Sequence, residues 1–319
     1  MALIYRTLLL LLAGLVFFFM AGIVAVWAPD KPLAELQARW AGAPSKFITV
    51  AGLQVHARDE GPRDDPLPIV LLHGTSDSLH TWGGWAAQLR GQRRVIRFDL
   101  PGFGLTGPGP TGDYSIDAYV RFVAAVLDSL DVPRVVLGGN SLGGEIAWRA
   151  AWAMPQRVAQ LILVDAAGYP PEPQGIPLGF ALARTAGGRT ALDYLLPRGL
   201  VLASVRSVYG DPSKVTPELV DRYYDMALRP GNRRALVQRL EVTPGDDVSD
   251  RIRSLTLPTL VLWGAQDRLI PVALGHRFAQ DIAGARLVVF DGLGHVPHQE
   301  DPVRTAAEVQ RFLGLVPQS

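Results

Sequence analysis

Residues 135–154 read VVLGGNSLGGEIAWRAAWAM, and this stretch decides the fold. Val135 to Gly139 is a short apolar run of the kind found in strands buried on both faces. From Glu145 onward, EIAWRAAWAM reads as a helix. Between the two lies Gly139-Asn140-Ser141-Leu142-Gly143, a G-x-S-x-G sequence in a strand–turn–helix setting. So sharp a turn leaves no room for side chains at Gly139 or Gly143. It holds Ser141 at the tip of a sheet, at the positive N-terminus of a helix. The pattern arises easily by chance in a chain with 33 glycines, but in this setting it marks Ser141 as a candidate nucleophile.

Outward from this turn, the same apolar signature recurs in IVLLH (69–73), VIRFD (95–99), LILVD (161–165), TLVLWG (259–264) and LVVFD (287–291). Helical patterns separate several of these runs: TWGGWAAQLR (81–90), SIDAYVRFVAAVLDSL (115–130), VALGHRFAQDI (272–282) and VRTAAEVQRFLG (303–314). FITV and LQVHARD ahead of them read as paired strands. The alternation predicts an α/β fold with a doubly wound, mostly parallel sheet. It breaks over 169–250, which carries nine prolines and only scattered apolar helical patches. That segment is expected to be a helical lid inserted between core segments 47–168 and 251–319.

A serine hydroxyl needs a base to become a nucleophile. Of six histidines, His295 follows Gly294 on the loop after LVVFD, at the sheet edge where active sites of open α/β sheets form. His276 falls in a helix and His56 in an early strand, so both read as structural, and His298 is the nearest rival. The acid that orients the imidazole is expected between Ser141 and His295 in chain order. Asp267, on the loop after TLVLWG, fits; Asp165, at the end of LILVD, is its rival.

Composition sets the surroundings. The chain has 319 residues, 48% hydrophobic, with 31 basic and 30 acidic side chains. This excludes a disordered chain, and a net charge of +1 does not suggest a nucleic-acid partner. With no cysteine there is no disulfide and no thiolate metal site. A mean hydropathy of +0.17 is high for a soluble enzyme. Its source is Leu8–Ala28, 21 uncharged residues that reach across a bilayer core of roughly 30 Å. A cleaved signal peptide would have a shorter apolar region and a small-residue cleavage site, whereas here Pro29 follows Ala28 and Trp27 precedes it. The expectation is an uncleaved single-pass anchor over 1–28, with the catalytic domain on the exported, periplasmic side. A juxtamembrane helix is expected within 29–46. Leu33, Leu36, Gln37 and Trp40 form its stripe, which either continues the anchor, lies on the membrane surface or packs on the catalytic domain. An anchored single span also admits a homodimer.

Together, His73-Gly74, Asp99-Leu100-Pro101-Gly102-Phe103-Gly104, Gly139-Asn140-Ser141-Leu142-Gly143-Gly144, Asp267-Arg268-Leu269-Ile270-Pro271 and Gly294-His295 resemble the α/β-hydrolase superfamily. The resemblance implies an eight-stranded sheet, a lid after the sixth strand, a Ser141–Asp267–His295 triad and no cofactor or metal. It also implies an oxyanion hole made by the backbone N–H groups of Thr75 and Leu142, with His73 only shaping its loop. Serine at 141 argues against haloalkane dehalogenases and epoxide hydrolases, whose nucleophile is aspartate. The elbow sequence also resembles C–C hydrolases of ring-cleavage products, but those carry Trp after the histidine where this chain has Val296. Aminopeptidases of this fold would need an acidic cluster in the lid to hold an α-amine, and none is evident. Anchor, elbow and apolar lid together are similar to membrane-bound bacterial esterases of the phospholipase A type. That implies acyl-ester substrates, lipids of the bilayer among them. A non-catalytic binding protein of the same fold is the alternative outside enzymes.

Overall fold

The computed structural model describes residues 2–170, 177–242 and 248–315. Its eight strands are β1 (Lys46–Val50), β2 (Leu53–Glu60), β3 (Ile69–Leu72), β4 (Val95–Phe98), β5 (Val135–Asn140), β6 (Val158–Val164), β7 (Thr259–Gly264) and β8 (Arg286–Phe290). They form one sheet in the order β1-β2-β4-β3-β5-β6-β7-β8. Only β2 runs antiparallel to its neighbours; β3 through β8 are parallel.

Alternate residues of these strands enter two separate cores, as a period of two requires. Val70, Leu72, Leu137, Leu163 and Trp263 pack with α4 (Ile116–Ser129), α5 (Leu142–Ala153) and α11 (Val272–Asp281). Ile69, Leu71, Val136, Val164 and Leu262 pack with α3 (Gly83–Leu89) and α13 (Pro302–Phe312). A sheet covered on both faces explains why these strands read as unbroken apolar runs.

Between β6 and β7 the described residues form five α-helices: α6 (Leu178–Ala183), α7 (Ala186–Leu192), α8 (Arg198–Val208), α9 (Pro217–Ala227) and α10 (Asn232–Glu241). Within the segment expected as a lid, 171–176 and 243–247 lie outside the described residues, as do Met1 and 316–319. The short helix α12 (Pro297–Glu300) follows the His295 loop.

The N-terminal helix α1 (Ala2–Val26) is long and apolar enough to cross a membrane, and Leu8, Leu12, Phe17 and Val24 on it are all exposed. It ends where the chain bonds to the insert. Leu196 N–H donates to the Val26 carbonyl at 3.0 Å, and Ala28 N–H donates to the Tyr194 carbonyl at 2.9 Å. Trp27 stacks on Tyr194. The juxtamembrane helix expected within 29–46 is shorter, α2 (Leu33–Trp40). Pro32 starts it, Gly42 and Pro44 follow it, and Lys46 already pairs with Ala57 in the sheet. Of the settings considered for its stripe, contact with the body of the protein is the one seen: Leu36 is buried with Leu105 and Met226. Asp225 of α9 accepts from Lys31 at 3.0 Å, Arg39 at 2.8 Å and the Trp40 indole at 2.9 Å.

Candidate active site

Ser141 sits between β5 and α5 with φ of 54° and ψ of −118°, a left-handed conformation that costs a non-glycine residue on the order of 1–3 kcal/mol. Close packing on every side maintains it. A Cβ on Gly139 would lie 2.2 Å from the Gly143 carbonyl oxygen, and one on Gly143 would lie 2.2 Å from that of Leu72. Ser141 N–H donates to the Val164 carbonyl, and its own carbonyl accepts from Glu145 and Ala167. The serine is therefore clamped between the ends of β5 and β6, as the glycine spacing predicts.

His295 and Asp267 arrive on the loops after β8 and β7. The His295 Nδ1 lies 2.7 Å from Asp267 Oδ2. The other carboxylate oxygen, Oδ1, accepts from the backbone N–H of Leu269 at 2.8 Å and of Ile270 at 2.9 Å. With Nδ1–H donating to a carboxylate, the lone pair of Nε2 is free to accept a proton. Asn140 fixes the same loop, donating from Nδ2 to the His295 carbonyl at 2.9 Å.

Ser141 and His295 line one cavity of about 440 Å³. Its walls are mostly apolar, with Phe180, Leu196, Leu200, Val201, Leu236 and Leu240 from the insert. Thr75 lines it too, and Leu142 is the first residue of α5, whose N–H has no acceptor within the helix. Gly74 lies alongside, where a Cβ would come within 3.2 Å of the Ser141 Cβ. His73 shapes the loop as expected: Nδ1 donates to the Gly74 carbonyl at 2.7 Å, and Nε2 accepts from Leu100 N–H at 2.9 Å.

The other histidines lie elsewhere. His276 is exposed on α11. His56 is buried against Asp99 at 2.8 Å. His298 stacks on Trp82 and meets Thr81 at 2.8 Å, and burial holds its ring neutral, well below the ordinary histidine range. The rival acid, Asp165, is fully buried beside Asp267 and accepts from Gly264 N–H at 2.9 Å.

Two features escape a reading of the sequence. Glu300 accepts from the backbone N–H of Gly294 at 2.6 Å, Gly210 at 3.0 Å and Asp211 at 3.2 Å. With His295 N–H donating to Val208 at 2.8 Å, it latches the histidine loop to the end of α8. Asp77, on the loop after Thr75, lines the cavity and accepts from Tyr223 at 2.7 Å and Gln299 at 2.9 Å. Sequence offers no signal for Glu300, because its three donors are backbone groups spread over some ninety residues.

An eight-stranded, mostly parallel sheet carrying a serine elbow after its fifth strand defines the hydrolase class of α/β proteins. A family model of the alpha/beta hydrolase fold matches residues 68–302, and the chain belongs to that family. It is 30% identical over 294 residues to the 2-hydroxy-6-oxononadienedioate/2-hydroxy-6-oxononatrienedioate hydrolase of Cupriavidus pinatubonensis, covering 88% of this chain and 99% of that one. A meta-cleavage product hydrolase from Pseudomonas fluorescens IP01 superposes with a TM-score of 0.74 at 26% identity, over 84% of this chain and 97% of its own. A membrane phospholipase A, described as a bacterial virulence factor, superposes with a TM-score of 0.70 at 25% identity, over 98% of this chain and 97% of its own. This protein is a hydrolase of that fold.

Proposed function

We propose that the protein is a membrane-anchored serine hydrolase that cleaves carboxylic esters of medium-length acyl chains, phospholipid and lysophospholipid esters among them. The observation that carries this reading is the joining of the Ser141 cavity to the foot of α1. Leu196 lines the cavity and also bonds to Val26, while Arg233 lines it and donates to the Ala28 carbonyl and to Asp30 at 2.7 Å each. An uncleaved anchor spanning the membrane, with the catalytic domain on the exported side, would hold the apolar cavity at the bilayer. The likeness to the membrane phospholipase A supports this, because an alignment over 98% of the chain takes in the N-terminal helix.

In this mechanism His295 Nε2 takes the Ser141 hydroxyl proton as the oxygen attacks the ester carbonyl carbon. Asp267 balances the charge on the imidazolium. The N–H groups of Thr75 and Leu142 donate to the oxyanion, each contributing roughly 2.7–4 kcal/mol. The proton passes from His295 to the leaving alcohol, and an acyl-enzyme remains on Ser141. Water, deprotonated by the same nitrogen, releases the acid. No step calls for a cofactor or metal.

A second reading is hydrolysis of a C–C bond in a ring-cleavage product, favoured by the Cupriavidus relative. Against it, Val296 lines the cavity where such enzymes carry Trp. The test is a panel of p-nitrophenyl esters from acetyl to palmitoyl, phospholipid vesicles and a 2-hydroxy-6-oxo-dienoate. Turnover is expected to peak at medium chains, since each buried CH₂ adds ~0.8 kcal/mol until the cavity is full. Turnover of the dienoate alone would establish the second reading. A maximum at acetate with no fatty acid released from vesicles would leave a simple carboxylesterase.

A further inference from the structure

Asp165 is not used by the mechanism above, yet it is fully buried against it. It follows β6 with φ of 45°, a left-handed conformation that costs a non-glycine residue on the order of 1–3 kcal/mol. Its Oδ1 accepts from Gly264 N–H at 2.9 Å, and Oδ2 is buried with no partner among the described residues. Carboxylate oxygens of Asp165 and Asp267 and a ring nitrogen of His295 lie within 4.8 Å of one another.

The acceptor capacity of Asp267 completes the picture. A carboxylate offers about four lone-pair sites. Leu269 N–H and Ile270 N–H take two on Oδ1, and His295 takes one on Oδ2. One site remains, and its neighbour is a second carboxyl with an orphaned oxygen. Two buried carboxyl groups this close resist ionising together, which favours a proton on one of them. The charged groups that act most strongly on Asp165 are Asp267 and Glu300, both acids. Burial, and then the charge of Asp267, hold Asp165 well above the ordinary carboxyl range.

We propose that Asp165 is a positioning residue, a neutral carboxylic acid whose Oδ2–H donates to Asp267 and fills its last acceptor site. It rests on the serine-hydrolase reading. The added donor shares the negative charge of Asp267 and fixes the plane in which it receives His295 Nδ1–H. It also tempers the pull of Asp267 on the imidazolium that forms when His295 takes the Ser141 proton.

The test compares full-length wild type, Asp165→Asn and Asp165→Ala. Its readout is the pH dependence of the rate at which a fluorophosphonate labels Ser141, a measurement that needs no knowledge of the substrate. Asp165→Asn keeps a donor and should label within about threefold of wild type with an unmoved acid limb. Asp165→Ala loses the donor, so its acid limb should move up by on the order of 0.7 pH unit, the equivalent of one ordinary hydrogen bond. Infrared difference spectra of folded wild type and Asp165→Asn at pH 7 give an independent readout. Wild type should show a protonated-carboxyl stretching band that Asp165→Asn lacks, and this comparison holds even if Asp165→Ala does not fold. The proposal is overturned if that band is missing, if Asp165→Asn falls as far as Asp165→Ala, or if the acid limb of Asp165→Ala stays in place. Failure of wild type to label at Ser141 would instead overturn the serine-hydrolase reading, with the infrared band still reporting on Asp165.

Discussion

The sheet edge and the helical insert are held together in different ways. At the edge, each candidate catalytic side chain is placed by backbone hydrogen bonds and close backbone contact. Ser141 is pinned to Val164, Asp267 is held by two amides, and the His295 loop is held by Asn140 and Glu300. The insert adds long-range side-chain bonds to its backbone bonds with the chain after α1. Asp225 gathers Lys31, Arg39 and Trp40, and Arg233 reaches Ala28 and Asp30. The candidate catalytic groups thus sit on turns tied by backbone hydrogen bonds to the ends of the strands. The walls of the cavity depend on the segment that follows α1. A site on rigid elements keeps the geometry chemistry needs, while a surface built on side chains tolerates change in what it binds.

The largest effects should come from the edge. Ser141→Ala should lower ester kcat by about 10⁴- to 10⁶-fold, and Asp267→Asn by about 10³- to 10⁴-fold, with little change in melting temperature. Steady-state kinetics beside thermal melts check this, and full activity in Ser141→Ala would remove the chemistry from the elbow. Next, Gly143→Ala should cost about 3 kcal/mol, because its Cβ would meet the Leu72 carbonyl at 2.2 Å. Denaturant titration measures that loss, which should exceed the effect of any single substitution on the exposed face of α6.

The insert should respond more mildly and in a different observable. Asp225→Ala, which strips three donors of their acceptor, should cost about 1–3 kcal/mol and shift the preferred acyl chain length while leaving acetyl-ester kcat within a few-fold. A chain starting at Asp30 should lose both membrane binding and part of this support, since Arg233 then loses the Ala28 carbonyl. Unchanged stability and chain-length preference in that truncated protein would show that the insert stands alone.

The smallest effect is one of pH. Asp165 is held well above its ordinary value of 3.8, so its neutral form contributes stability that is complete below that value and is lost as pH rises through the folded-state value. Asp165→Asn does not ionise, so its melting temperature relative to wild type should climb from pH 5 to pH 9. In the acid direction His80, in the turn after β3 with its Nε2 2.8 Å from the Trp40 carbonyl, is lowered to about 3 chiefly by burial and stays neutral while the unfolded chain takes up a proton below its ordinary 6.5. His80→Gln should therefore lessen the loss of stability between pH 6 and pH 4. Parallel melting curves across either range would contradict these signs.

Much of the edge is legible in the chain because its parts are local. Gly139 and Gly143 flank Ser141, Asp267 lies four residues beyond Trp263, and His295 follows the run LVVFD. Each candidate can be placed by where its own strand stops. The links to the insert are of another kind. Arg233 and Ala28 are 205 positions apart, and Asp225 and Arg39 are 186 apart. No periodicity connects them, and nothing distinguishes Asp225 from any other acid on a polar helix.

The sequence by itself determined the doubly wound sheet, the elbow and the apolar N-terminal helix, because each follows from residues within a few turns or a single strand of one another. Which carboxyl faces His295, how Glu300 latches the histidine loop and how the foot of α1 joins the cavity wall were decided only in the tertiary structure. Those features depend on burial and on backbone donors brought together from distant segments, and a buried acid takes its charge and its partners from that surrounding.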